Sequence, residues 1–191
     1  MKDKTNCIII HGCPPNEAEY DVRKIKGHFH WIPWVAEKIN QMGIKTINPL
    51  MPSPWAPDYE AYKKEFEKNS VDENTILIGH SCGCAFLVNW LGDTKQKIKK
   101  LILIAPWKVN SRNDVIREKF YSFQIDSTIS ERVGEIVMFT SDTERDGGIE
   151  SLKIYHETLG GKIISLANHG HYTFPDMGTR EFPELLEEIP R

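Results

Sequence analysis

The chain has 191 residues, of which 40% are hydrophobic and 27% charged, with a formal net charge of −3. This length suits one domain over residues 1–191 with a real core, and the near-neutral balance argues against nucleic-acid or anionic-membrane partners. The longest apolar runs, at 7–10 and 85–91, are too short to span a bilayer, and residues 1–6 lead into a strand instead of a signal-peptide core, so a cytoplasmic location is the default expectation.

Strand-like and helix-like runs alternate from end to end. The first strand is expected at 7–10, followed by a turn carrying Cys13, Pro14 and Pro15. Apolar residues at Ile32, Val35, Ala36, Ile39 and Met42 predict a helix over 32–42. A second strand at 45–47 runs into a stiff, proline-rich loop over 48–57 that contains Trp55. Asp58 is a natural N-cap for a helix over 58–68 with Tyr59, Tyr62 and Phe66 on one side. Further strands are predicted at 75–78, 101–104, 136–139 and 163–166. Segment 106–131, with Trp107, Phe120, Tyr121 and Phe123, has no clear strand and is expected to form a small lid. A helix over 149–159 stops at Gly160-Gly161, and a short acidic helix follows at 181–188. The alternation predicts an α/β fold: a three-layer, Rossmann-like parallel sheet of about six strands, with ligands bound off the carboxyl ends of the strands.

The most informative stretch is Gly79-His80-Ser81-Cys82-Gly83, placed straight after a β-branched run and straight before an apolar helical run over 82–91. This is the layout of a nucleophile elbow, in which a strained turn holds a serine hydroxyl proud of the sheet. Gly79 and Gly83 sit where a Cβ would collide with the neighbouring strand and helix. His80, inside the elbow, reads as a buried spacer. A serine needs a base and an orienting acid, and in such sheets the chain order is Ser, acid, His. Both partners follow in that order. Asp142, Glu144 and Asp146 lie after the fifth strand, and His169 and His171 after the sixth. A metal hydrolase built on His169-x-His171 is a weaker alternative, because no third histidine stands near and the elbow would go unexplained. Neither a cofactor nor a metal is expected.

On several elements at once the chain resembles the small α/β-hydrolases related to retinoblastoma-binding protein nine and the YdeN-type serine hydrolases. The likeness is carried by His11-Gly12, His30-Trp31-Ile32-Pro33-Trp34, the run from Asn48 to Pro54, Ile78-Gly79-His80-Ser81 and Gly170-His171-Tyr172. The resemblance implies a compact sheet without a large cap domain and a Ser–Asp–His triad acting on small acyl substrates. It places the nucleophile on Ser81, the base on His171 and the acid on Glu144. At the acid the sequence departs from the family pattern, with Glu for Asp and Gly147-Gly148 in place of Val-Pro, so Asp142 and Asp146 stay open as substitutes.

The oxyanion hole is expected from backbone N–H groups of Cys82, the residue after the serine, and of Cys13, since Pro14 and Pro15 have none. The four cysteines read as free thiols, mostly buried; if the Cα atoms of Cys13 and Cys82 come within about 7 Å the two could bridge, and a bridge there would disturb the oxyanion hole. Trp31, Trp55 and Trp107 are candidate walls of a substrate pocket, with Trp34 beside them. The functional expectation is a serine hydrolase cleaving a small ester, thioester or amide. The alternative is a catalytically weak binding or regulatory protein on the same fold, suggested by the altered acid loop. A small-molecule acyl substrate is the expected partner.

Overall fold

Residues 5–21, 30–110 and 114–189 are described by the computed structural model. Six strands, β1 (Asn6–Ile10), β2 (Lys45–Ile47), β3 (Thr75–His80), β4 (Lys100–Ile104), β5 (Ile136–Ser141) and β6 (Lys162–Leu166), form one sheet in the order β2-β1-β3-β4-β5-β6. Every neighbouring pair is parallel. The four central strands are apolar on both faces and almost wholly buried, which is what a sheet covered by helices on two sides demands. The edge strands β2 and β6 are the more exposed.

Seven α-helices are described: α1 (Trp31–Gln41), α2 (Tyr59–Phe66), α3 (Cys82–Thr94), α4 (Val115–Tyr121), α5 (Asp146–Leu159), α6 (Phe174–Met177) and α7 (Pro183–Glu187). Pleating sends alternate strand residues to opposite faces. Ile8, Ile10 and Leu77 join a core with Tyr62, Phe66, Phe86, Phe120 and Tyr155 from α2 to α5. Cys7, Ile9, Ile76 and Ile78 join a second core with Trp31, Val35 and Ile39 of α1 and Leu185 of α7. The result is three layers.

Strand order reverses between β1 and β3, and the loops leaving these two strands open the crevice where such sheets bind ligands. The helix over 58–68 begins as expected, with the Asp58 carboxylate accepting from Ala61 N–H at 2.9 Å. Helix α5 starts three residues earlier than the expected 149, because Gly147 and Gly148 are helical despite their low propensity. Segment 106–131 contains α4 and a 3₁₀ turn, lines a wall of the crevice and builds no large cap; residues 111–113 lie outside the described part.

Candidate active site

Ser81 sits between β3 and α3 with φ 53° and ψ −121°, a conformation L-residues avoid. The surroundings hold it there. Its N–H donates to Ile104 O at 2.9 Å, and its carbonyl accepts from Cys84 N–H at 3.0 Å. A Cβ on Gly79 would lie 2.8 Å from Cys84 N, and one on Gly83 would lie 2.5 Å from Ile10 O. Helix α3 therefore packs directly onto the backbone leaving β1, and this close approach fixes where the serine hydroxyl points.

His171, in the loop after β6, places Nε2 2.8 Å from Ser81 Oγ. Its Nδ1 lies 3.0 Å from both Oε1 and Oε2 of Glu144. The Glu144 side chain is 1% exposed and that of His171 8%, so the pair is shielded from water. Glu144 Oε1 also accepts the N–H of Arg145 at 2.8 Å. With Nδ1 facing a carboxylate, the ring carries its proton there and leaves Nε2 to accept from the serine hydroxyl.

The histidine loop is secured from several directions. His171 N–H donates to Asp176 Oδ2 at 3.1 Å, and the Trp31 indole N–H donates to Tyr172 O at 3.1 Å. His80 Nε2 pairs with the His171 carbonyl at 2.9 Å. Burial, reinforced by neighbouring His30, His171 and His11, pushes His80 well below the usual histidine range. His80 is thus a neutral buried prop. Burial likewise lowers His30 to about 3.

The other candidates fall elsewhere. Asp142 is exposed, and its carboxylate accepts Asn168 N–H at 2.7 Å, joining the acid loop to the histidine loop. Asp146 is exposed in the first turn of α5. His169 Nδ1 donates to Ala167 O at 2.7 Å, and its ring packs on Tyr172 and Phe182. Among the described residues no group of three or more His, Cys, Asp or Glu side chains could hold a metal ion.

A cavity of about 610 Å³ opens in front of Ser81, lined among others by Tyr20, Trp107, Val109, Tyr121 and Phe174. Of the predicted tryptophan walls, Trp107 faces this cavity, with its ring edge-on to His171 at 5.1 Å. Trp31 does not: it is 1% exposed, locked in the core by its bond to Tyr172. Trp55 stands one residue removed, packed on Tyr20 at 5.0 Å, and partly buried Trp34 packs against the second core. Sequence reasoning missed Tyr20, which caps a short 3₁₀ turn, and Phe174, which opens the four-residue α6; both elements are too short to show a period. It also missed the role of Gly148, whose added Cβ would lie 2.6 Å from Glu144 Cδ.

The free-thiol expectation is corrected at one pair. Cys13 and Cys82 are joined by a disulfide with a Cα–Cα separation of 5.8 Å, while Cys7 and Cys84 remain free and buried. The reason is the same close approach: the turn after β1 lies against the start of α3, and 69 residues of separation collapse to one contact. The bridge coexists with the Ser81–His171–Glu144 alignment.

A family model described as serine hydrolase matches residues 24–189. The YdeN protein of Bacillus subtilis (strain 168), whose name assigns it provisionally to the hydrolases, is 30% identical over 80 residues, covering 40% of this chain and 42% of that protein. The alignment thus spans under half of that relative's length. The crystal structure of the ydeN gene product from B. subtilis superposes with a TM-score of 0.81 at 18% identity, over 97% of this chain and 96% of that one. Est1E from Butyrivibrio proteoclasticus superposes with a TM-score of 0.60 at 15% identity, over 100% of this chain and 90% of that one.

Proposed function

The chain belongs to the serine hydrolase family, and we propose that it cleaves a small ester, thioester or amide through an acyl-enzyme on Ser81. The observation that carries this reading is the unbroken line from Ser81 Oγ through the His171 ring to Glu144, opening on a cavity. His171 Nε2 takes the hydroxyl proton as Ser81 Oγ attacks the carbonyl carbon. Glu144 keeps the ring in the required tautomer and stabilises the imidazolium. Backbone N–H groups of Cys82 and Cys13 receive the negative charge that develops on the carbonyl oxygen. His171 then returns the proton to the leaving group, and water, activated by the same ring, releases the acyl group.

The cavity favours an apolar or aromatic substituent. Tyr20, Trp107, Val109, Tyr121 and Phe174 give it flat apolar walls. The Arg117 guanidinium at its edge is already engaged: Nη2 donates to Pro14 O at 2.6 Å, and Nε pairs with Asp114 Oδ2 at 3.2 Å. The altered acid loop motivated a binding-only alternative. That motive weakens with the longer Glu144 reaching His171 from this loop.

A fluorophosphonate probe with mass-spectrometric mapping tests the reading, alongside a panel of acyl esters, thioesters and aminoacyl amides. Ser81 should be labelled, and Ser81→Ala should lose both label and turnover with little change in stability. His171→Ala should cost a similar factor, since such residues act as a unit, and His169→Ala should be mild. A crippled His169→Ala beside an active His171→Ala would move the base.

A further inference from the structure

We propose that the Cys13–Cys82 disulfide positions the oxyanion-binding turn, so that the bridged form is the active one and a dithiol reductant reversibly lowers kcat. The proposal rests on the serine-hydrolase reading. The bridge joins the two residues assigned to the oxyanion, one on the turn after β1 and one directly after Ser81. With Cα atoms 5.8 Å apart, it fixes the spacing of the two backbone N–H groups that must meet one oxygen.

The surroundings favour such a role. On its far side the turn is held by Arg117, whose Nη2 donates to Pro14 O at 2.6 Å and reaches Pro15 O and Trp55 O at 3.4 Å. The Tyr62 hydroxyl donates to Cys13 Sγ at 3.6 Å. On its inner side Gly12 packs against the serine, where a Cβ would lie 3.1 Å from Ser81 Cβ. Opening the bridge leaves the turn tethered at Pro14, with the long contact to the Tyr62 hydroxyl in place of the covalent link at Cys13.

Cys13 lines the cavity, whereas Cys82 is 1% exposed, so an incoming thiolate attacks the Cys13 sulfur and expels Cys82. A dithiol supplies two electrons and two protons, leaving two cysteine thiols and its own cyclic disulfide. Cys7 and Cys84 are fully buried, and burial raises both thiols above their ordinary range. They do not exchange with the pair, and the switch is confined to one bridge.

The test uses the full chain purified in air without reductant, at a temperature where circular dichroism shows both redox forms folded. Thiol titration under denaturing conditions should count two thiols before dithiothreitol and four after. Displacing one oxyanion donor costs roughly 10²–10³ in rate when complete, so reduction should lower kcat by about tenfold to a hundredfold and leave KM within about twofold. Affinity for an alkylboronic acid, which mimics the tetrahedral adduct, should fall in parallel, while affinity for the product carboxylate should not. Cys13→Ser, which retains the N–H, should match reduced protein and ignore dithiothreitol. Reoxidation should restore the wild type. Four thiols in the air-purified protein, equal kcat in both redox forms, or a Cys13→Ser variant as fast as the bridged enzyme would each overturn the clamp while leaving Ser81 labelling intact. Absence of labelling and turnover in either form would overturn the hydrolase reading and the clamp with it.

Discussion

Glu144 is one methylene longer than an aspartate, and that methylene needs space. Gly148 supplies it, since an added Cβ would lie 2.6 Å from Glu144 Cδ and 2.9 Å from Oε1. The longer acid thus fills the space that the missing Cβ of Gly148, in the first turn of α5, leaves open. Glu144→Gln should keep the packing yet lower kcat/KM by about 10³–10⁴-fold, because an amide stabilises the imidazolium poorly and favours the wrong tautomer. Gly148→Ala makes a sharper test. The added Cβ must push the buried carboxylate off His171 and the Arg145 N–H, so kcat should fall at least about tenfold while circular dichroism shows the fold kept. Full activity in the Gly148→Ala variant would show that Glu144 has room to spare. Asp142→Asn should be mild, for its carboxylate already serves Asn168 N–H.

Among the elements, those with strong periodicity or β-branched runs were legible, and their ends fall within a few residues of expectation. The sixfold strand pattern, the Asp58 cap and the arrival of Ser81, an acidic loop and a histidine loop at one edge all follow from order along the chain. What the sequence leaves open depends on direction. Asp142 and Glu144 are both acids in one loop, and only the path of the turn decides that Glu144 points inward. Trp31 is chemically as good a pocket wall as Trp107, but its indole N–H is claimed by Tyr172, 141 residues away. Short α4 and α6 carry too few turns to show a period. Helix α3 allows the packing argument to be checked with two substitutions of opposite sign. Gly83→Ala would set a Cβ 2.5 Å from Ile10 O and 2.8 Å from His11 O, both backbone. It should destabilise by about 2 kcal/mol or more and lower kcat, since the whole helix must move. Gly92→Ala, in the same helix, meets nothing closer than Asp126 Cβ at 3.4 Å and should stabilise by about 0.5–1 kcal/mol. Denaturant midpoints of both variants separate steric contact from helix propensity.

At the scale of the whole molecule a cluster of histidines backs the serine, with His80 lying 5.1 Å from His30 and 5.5 Å from His171 between ring centroids. His11 is fixed nearby as an acceptor for Met51 N–H at 3.0 Å. His80 and His30 both titrate below the unfolded value of about 6.5, His30 at about 3, through burial first and neighbouring histidines second. Above about pH 6.5 both rings are neutral whether the chain is folded or not, and the stability they permit is fully present. As pH falls below that value the unfolded chain takes up protons that the folded one refuses, so stability drops by up to about 1.4 kcal/mol per pH unit for each ring. Between about pH 6.5 and 5, before most carboxylates titrate, urea midpoints should therefore move steadily down with acid. His80→Gln can still donate to the His171 carbonyl but cannot be protonated, so its midpoint should fall less steeply over the same interval. Equal slopes in the two proteins would show that His80 takes up its proton within the fold, and that the neutral prop behind Ser81 is not what sets the acid limit of this enzyme.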